Sequence, residues 1–337
     1  MFKRKKPEFA IINSFDPFDN FIFVLNYIRY IFKICLFTVF FNKDKLIRSV
    51  RKFRLLHYCG GNIYGHKALN LSLIRGFKRL GIPFTWNRVN RHTRYVILLW
   101  VHLKYLKRIE KWKKKYPYLK IVTVPTACIG SYEYMHKFAE LDYIDYSLIA
   151  CKWLRDIEAE KTDKKYRHKI KAWPSGVQVD PLTDNGEIHN SVMCYYKLVP
   201  EDIKITEYLK SKGITPRVVL YGAYQAEDYY KWLTEVDFVI FVQNITESQG
   251  LAMAEAWAKN KPTIIKYNKG GNGGETCPYL TRAAGAYYKT NKELFDMIDE
   301  YVDDKEKFLK KFTPYKVAKE KFSDEASVRQ LIKILKE

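Results

Sequence analysis

Short apolar runs separated by helix-periodic stretches recur along the chain from residue 53 onward. Residues 53–58 read as a buried strand and 59–65 as a glycine-bearing loop. Residues 66–80 read as a helix whose apolar stripe is Leu69, Leu73, Ile74, Phe77 and Leu80. Gly81 and Pro83 stop that helix. Residues 95–100 are apolar enough for a parallel strand covered on both faces. A strongly basic helix follows at 104–115, then strands at 121–124 and 143–150. After a turn-rich segment at 173–181 the alternation resumes: strand 192–196, helix 200–212, strand 217–221, helix 227–234, strand 237–242, helix 249–259, strand 263–267. Strands alternating with helices predict an α/β chain built on two doubly wound parallel sheets.

The first fifty residues break this pattern. Lys3, Arg4, Lys5 and Lys6 precede a stretch at 21–41 that is almost wholly apolar and aromatic, interrupted by Asn26, Arg29 and Lys33. Two mid-segment cations cost about 2.5–3.5 kcal/mol each in a bilayer-spanning helix. Arg29 and Lys33 share one helical face, and Leu25, Ile28, Phe32, Leu36 and Val39 line another. The pattern therefore suits an amphipathic helix lying in a membrane surface, and Lys43, Lys45, Arg48, Arg51 and Lys52 next to it favour anionic lipid. The alternative is a helix packed on the protein's own core. The expected organisation is an extension at 1–52, a first domain at 53–172, a linker at 173–186, a second domain at 187–310, and a terminal segment at 311–337.

Composition adds charge. Among 337 residues, 59 Lys and Arg face 37 Asp and Glu, a formal net charge of +22, so the partners to consider are anionic. Much of the charge on helix 104–115 is a solvated face, yet its single sign makes it a candidate patch for phosphate or lipid headgroups. The six cysteines are scattered, without the close spacing of a zinc site or a disulfide framework, which fits reduced thiols in a cytoplasmic protein. No nucleic-acid-binding motif is present, and no nucleic-acid partner is expected.

The candidate chemistry lies after the strand at 237–242. Glu247 falls at the carboxyl end of that strand, where ligands of open α/β sheets bind, and Glu255 lies eight positions on, about 12 Å along a helix. Two carboxylates so placed address the two ends of an elongated polar ligand. The N–H groups of Gln249, Gly250 and Leu251 open the helix, a position that favours phosphate.

Glu247 and Glu255 within this segment, with Asn260-Lys261-Pro262 leading into the next strand, resemble the retaining GT-B glycosyltransferases of family 4. Trp173-Pro174-Ser175-Gly176-Val177, running on to Asp180, is similar to that family's interdomain signature. The likeness is specific over 217–268, weaker over 140–200 and loose over 53–130, and it leaves 1–50 uncovered. It implies two facing Rossmann-like domains with a cleft between them, the donor nucleotide-sugar being held mainly by the second. By that resemblance Glu247 contacts donor-sugar hydroxyls near the reacting carbon and Glu255 the ribose hydroxyls. Ser248, Gln249, Gly250 and Leu251 line the sugar and phosphates, and Lys197 stabilises the departing diphosphate. Tyr224 is a candidate for stacking on the base. Such enzymes work without a divalent metal, so no metal or other cofactor is expected.

Three positions depart from the family. Its second basic residue is Asp202 here, with Lys204 nearby. Residues 125–130 lack the histidine often found after the fourth strand, for which His57, His66 and His102 are candidate replacements. Gln249 stands where the family has phenylalanine. Two glycine loops stay open to two readings each. Gly60, Gly61 and Asn62 either approach a ligand or form a tight turn; Gly270, Gly271, Gly273 and Gly274 form either a lid over the donor or a surface loop. The terminal helix at 325–335 is expected to cross back and brace the first domain.

The function expected is that of a hexosyltransferase-type enzyme. It moves sugar from a nucleotide-sugar to a lipid-linked or glycan acceptor with retention, in polysaccharide or glycoconjugate synthesis, at the cytoplasmic face of an anionic membrane. The alternatives are a catalytically degenerate GT-B scaffold or partner subunit and, less well supported, a basic nucleic-acid-binding protein.

Overall fold

A computed structural model of the chain describes residues 6–12, 66–99, 106–124, 138–182, 187–270 and 274–337. The strand at 53–58, the loop with Gly60, Gly61 and Asn62, the segment 21–41, His57, His102 and residues 125–130 lie outside the described residues.

The first sheet is parallel and comprises β1 (Phe9–Ile12), β2 (Phe84–Trp86), β3 (Tyr95–Leu98), β4 (Lys120–Thr123), β5 (Tyr146–Ile149) and β6 (Ile170–Ala172), in the order β2-β1-β3-β4-β5-β6. Helices α1 (His66–Arg79), α2 (Leu106–Lys115) and α3 (Lys152–Lys161) accompany it. The position of β1 corrects the expected organisation, because it falls inside the stretch assigned to an extension. Its four apolar residues are buried, with Ala10 registered against Thr85 on one side and Val96 on the other. A four-residue run beside a lysine cluster carries too little periodicity to be read as a strand, so the pattern starts the domain at 53.

The second sheet comprises β7 (Ser191–Lys197), β8 (Thr215–Leu220), β9 (Phe238–Gln243), β10 (Thr263–Lys266) and β11 (Gly285–Tyr288), in the order β11-β10-β9-β7-β8. Its helices are α4 (Ile203–Ser211), α5 (Ala226–Leu233), α6 (Leu251–Ala258), α7 (Asn291–Asp303) and α8 (Lys305–Lys310). β7 is apolar almost throughout because it is covered on both faces. Met193 and Tyr195 join one core with Phe241 and Trp257, while Cys194 and Tyr196 join another with Ile240 and Tyr301. The chain leaves β7 for β8 on one side and β9 on the other, so the strand order reverses between β7 and β9. The crevice outside their carboxyl ends is where such a sheet receives a ligand.

After α9 (Pro314–Val317) and a short π-helical turn, α10 (Asp324–Lys336) packs on the first domain. Val328, Leu331 and Leu335 share a core with Leu69, Leu73 and Phe77 of α1. Asp324 is fully buried, and its carboxylate accepts hydrogen bonds from Arg75 at 2.6 and 3.0 Å. The linker is locked beside it: Trp173 Nε1 donates to the Ser327 carbonyl at 2.9 Å, and Ser327 Oγ donates to the Pro174 carbonyl at 2.8 Å. Gly76 makes the approach possible, since a Cβ there would lie 2.3 Å from the Asp324 carbonyl oxygen. No helix among the described residues is long and apolar enough to cross a membrane.

Two substitutions probe this brace. Gly76→Ala gains about 1 kcal/mol of helix propensity, but the methyl meets backbone that cannot yield, so a net loss of about 1–3 kcal/mol is expected from overpacking. Arg75→Met removes both hydrogen bonds to the buried Asp324 carboxylate and leaves Arg79, 3.6 Å away, as its cation, so it should cost about 1.5–3 kcal/mol. Urea unfolding measures both; unchanged stability in the two variants would mean that α10 does not depend on this contact.

Candidate active site

Lys197 ends β7 in register with Gln243, the last residue of β9, and Glu247 follows four residues beyond Gln243. The Lys197 ammonium donates to Glu247 Oε1 in a close ion pair, with the side chains only 19% and 12% exposed. The same ammonium lies 4.8 Å from the ring centroid of Tyr221, which is itself 54% exposed. The structure thus brings together two residues expected to act on one donor and adds an aromatic that the sequence reading missed. The signal for Tyr221 is topological: it is the first residue after β8, at the same sheet end as Lys197.

The Glu247 backbone is fixed from two directions. Its N–H donates to the Glu275 carbonyl at 3.1 Å, and its carbonyl accepts from Trp153 Nε1 of the first domain at 3.1 Å. The ends of the second glycine loop are thereby tied to the site. Lys269 bridges Glu275, and Asn268 Nδ2 donates to the Asn244 carbonyl at 2.7 Å.

Glu255 lies on the second turn of α6, partly buried, and its Oε1 accepts from the Tyr230 hydroxyl at 2.5 Å. Burial pushes its carboxyl up to about 7, against the opposing pull of the Tyr230 hydrogen bond and the Arg75 charge. Tyr230 was not legible as a site residue, because within α5 it reads as ordinary helix surface. α6 begins at Leu251 after Gly250, whose φ of 76° is left-handed. The amino end of α6 lies four residues past Glu247, and its first N–H groups have no partner within the helix.

Other expectations are corrected. The Gln249 side chain is buried and turned to the linker: its Oε1 accepts from the Ser175 N–H at 2.9 Å, and its Nε2 donates to the Ser175 carbonyl at 2.5 Å. Those bonds replace contact between its amide and a sugar, because the paired backbone groups of a buried linker need partners. Tyr224 packs in an aromatic cluster, its hydroxyl 2.7 Å from that of Tyr195 and its ring against Tyr229 and Trp232. Its ring is thus packed on one side and remains partly exposed. Asp202 caps α4 by accepting from the Lys204 N–H at 3.1 Å. Lys204 lines a depression of about 440 Å³ with Asp202, Asn244 and Lys266. Among the described residues no cluster of His, Cys, Asp or Glu is arranged to hold a metal ion.

No protein-family model matches the chain, and none of the curated proteins matches it by sequence. Solved structures do match. A glycosyltransferase from Rickettsia africae aligns with a TM-score of 0.53 at 11% identity, over 98% of each chain. TarM from S. aureus, solved with fondaparinux, alpha-GlcNAc-glycerol and UDP, aligns with a TM-score of 0.51 at 14% identity. That match covers 80% of this chain, which spans only 59% of the TarM chain. Anabaena HepE in complex with UDP aligns with a TM-score of 0.50 at 10% identity, over 98% of this chain and 100% of its own. At these identities the likeness is one of fold. Two parallel sheets whose carboxyl edges meet across Trp153 and Glu247 form the GT-B architecture.

Proposed function

We propose that the chain is a retaining glycosyltransferase of the family 4 type, transferring a hexosyl unit from a nucleotide-sugar. The observation that carries this reading is the Lys197–Glu247 pair at the switch point of the second sheet, followed eight residues on by Glu255 in the second turn of α6. Without ligand the pair neutralises itself. A donor offers each member a separate partner: diphosphate for the lysine and sugar hydroxyls for the glutamate. Cleavage of the bond between the anomeric carbon and phosphate leaves charge on the diphosphate, which Lys197 and the α6 amino end stabilise. The acceptor oxygen bonds to the anomeric carbon from the leaving-group face, and its proton passes to a departing phosphate oxygen. The reaction needs no metal in this scheme.

Two of the similar structures were solved with UDP, which makes a uridine nucleotide the first donor to test. The acceptor proposed is a glycan or a lipid-linked glycan of a polysaccharide pathway, met at the cytoplasmic face of an anionic membrane.

Thermal unfolding against UDP-, GDP-, ADP-, CMP- and TDP-sugars without metal tests the reading. Donor at about 100 times its dissociation constant stabilises the protein by about 2.7 kcal/mol. One nucleotide should shift the transition, and Lys197→Ala should slow sugar transfer by about 10²–10³-fold. No shift with any donor would favour a degenerate scaffold.

Glu255 supplies a pH signature. Its folded carboxyl holds a proton to about pH 7, above the unfolded value, so the free protein loses stability as pH rises through that interval. Ribose hydroxyls donate to the ionised form, so donor affinity should rise about tenfold between one unit below and one unit above that pKa. Titration calorimetry should find the dependence abolished in Glu255→Gln; a flat wild-type profile would remove Glu255 from the donor site.

A further inference from the structure

The first sheet carries a second charged feature, away from the cleft. Its carboxyl edge faces the second domain, where the Ala150 carbonyl just past β5 accepts from the Tyr279 hydroxyl at 2.6 Å. Its amino edge points the other way, and cations collect there and along the adjoining flank of α2.

The return from β2 to β3, residues 87–94, runs beside α2. Val89 packs with Ile109 and Trp112 of that helix. Tyr118 donates from its hydroxyl to the Arg91 carbonyl at 3.0 Å, and the Arg94 N–H donates to the Glu8 carbonyl at 2.7 Å. These contacts gather Lys6, Arg88, Arg91 and Arg94 on one surface. All four are exposed, and none forms an ion pair with a described carboxylate. Of the neighbouring acids, Glu110 is engaged by Lys114 at 2.7 Å and Asp145 by Lys113 at 2.8 Å, while the exposed Glu8 sets one negative charge beside the four cations. His92 registers the crowding. It accepts from Arg91 Nε at 3.3 Å, and its pKa is held below the ordinary histidine value by desolvation, then by the charges of Lys6 and Arg91.

Cations held this close repel one another, and the Glu8 carboxylate offsets only part of that repulsion; an arriving anionic surface offsets more. The cations sit on a loop and a helix flank. Single-stranded nucleic acid is normally held in a groove with stacked aromatics. Here the aromatic is Tyr118, 53% exposed among the cations, an amphipathic ring of the kind that settles at a headgroup layer.

We propose that this face, Lys6, Arg88, Arg91, Arg94 and Tyr118 with the flank of α2, is the surface on which the protein docks to an anionic lipid bilayer. The inference deepens the membrane part of the functional reading without depending on sugar transfer. A protein standing on this face holds its cleft at the far edge of the first sheet. A four-residue strand alone separates the two by about 13 Å. The acceptor hydroxyl then stands clear of the headgroups, as the end of a glycan does.

Co-sedimentation of the full chain with phosphatidylcholine vesicles, with and without phosphatidylglycerol, tests this. Binding should require phosphatidylglycerol and fall with added salt. Replacing Arg88, Arg91 and Arg94 together by Glu should weaken it by at least about a hundredfold, at roughly fivefold per charge removed. Replacing all three by Lys should preserve binding, and both variants should keep the cooperative thermal unfolding transition of the unmodified chain, which reports that they fold. The matched control replaces the exposed Lys292, Lys307 and Lys310 by Glu. An equal loss in that control would reduce the effect to net charge and overturn the proposal. So would undiminished vesicle binding by the Arg→Glu variant, absence of binding by the unmodified chain, or loss in that variant of oligonucleotide binding alone.

Discussion

The buried carboxylate of Asp324 is the point on which the two-domain geometry turns. Immediately before it, the π-helical turn packs Phe322 against Trp257 of α6 in the second domain; immediately after it, α10 lies on α1 of the first. A charge removed from water at that junction is tolerable only with a partner in good geometry. Arg75 supplies two hydrogen bonds, and Arg79 stands 3.6 Å away. Apolar packing alone would let α10 slide along α1 by a turn at small cost. The ion pair permits one register, and Gly76 and Gly176 leave room for it alone, since a Cβ at Gly176 would lie 2.7 Å from the Asp324 Cα.

That brace reaches the candidate site. Arg75 is also one of the two influences drawing the Glu255 carboxyl down against its burial. The element that fixes how the domains face one another therefore sets part of the electrostatics at the second glutamate. The first glutamate depends on the interface more directly, because its carbonyl is held by Trp153 and its N–H by Glu275. Glu247 is positioned before any ligand arrives. Pairing with Lys197 keeps two half-buried charges satisfied in the meantime, which is what preorganised electrostatic stabilisation requires.

The sequence carried the architecture and the acidic pair more clearly than their surroundings. Continuous apolar runs such as 237–242 identify buried parallel strands and place Glu247 just past the carboxyl end of one. The expected two-turn helical offset to Glu255 does not hold, because α6 starts only at Leu251 after the left-handed Gly250. Lys197 was legible only through the family resemblance, which places a basic residue at the end of this strand. Side-chain partners across elements were not. Gln249 carries the right offset to line a ligand, yet it spends both ends of its amide on Ser175, a pairing that no local pattern reveals. Tyr230 and Tyr221 are separated from the glutamates by a full helix or strand, and β1 is too short to show periodicity. Each failure has one form: local spacing fixes which element a residue occupies, while the buried polar groups of a distant segment decide where its side chain points.

Asp202 shows the same competition resolved in favour of the fold. The resemblance places a second cation there, but the position is the N-cap of α4. Its carboxylate accepts from the Lys204 N–H and from Asn291 Nδ2 at 3.2 Å, joining α4 to α7. A lysine would forfeit a cap worth about 1 kcal/mol and set a positive charge against the positive end of a helix dipole. Both effects favour the carboxylate. Cationic side chains then reach this depression from the first turn of α4, through Lys204, and from the end of β10, through Lys266. Asn244 lines it too, three residues before Glu247, so the positive charge around this crevice is spread over several elements rather than placed at the one position the resemblance names.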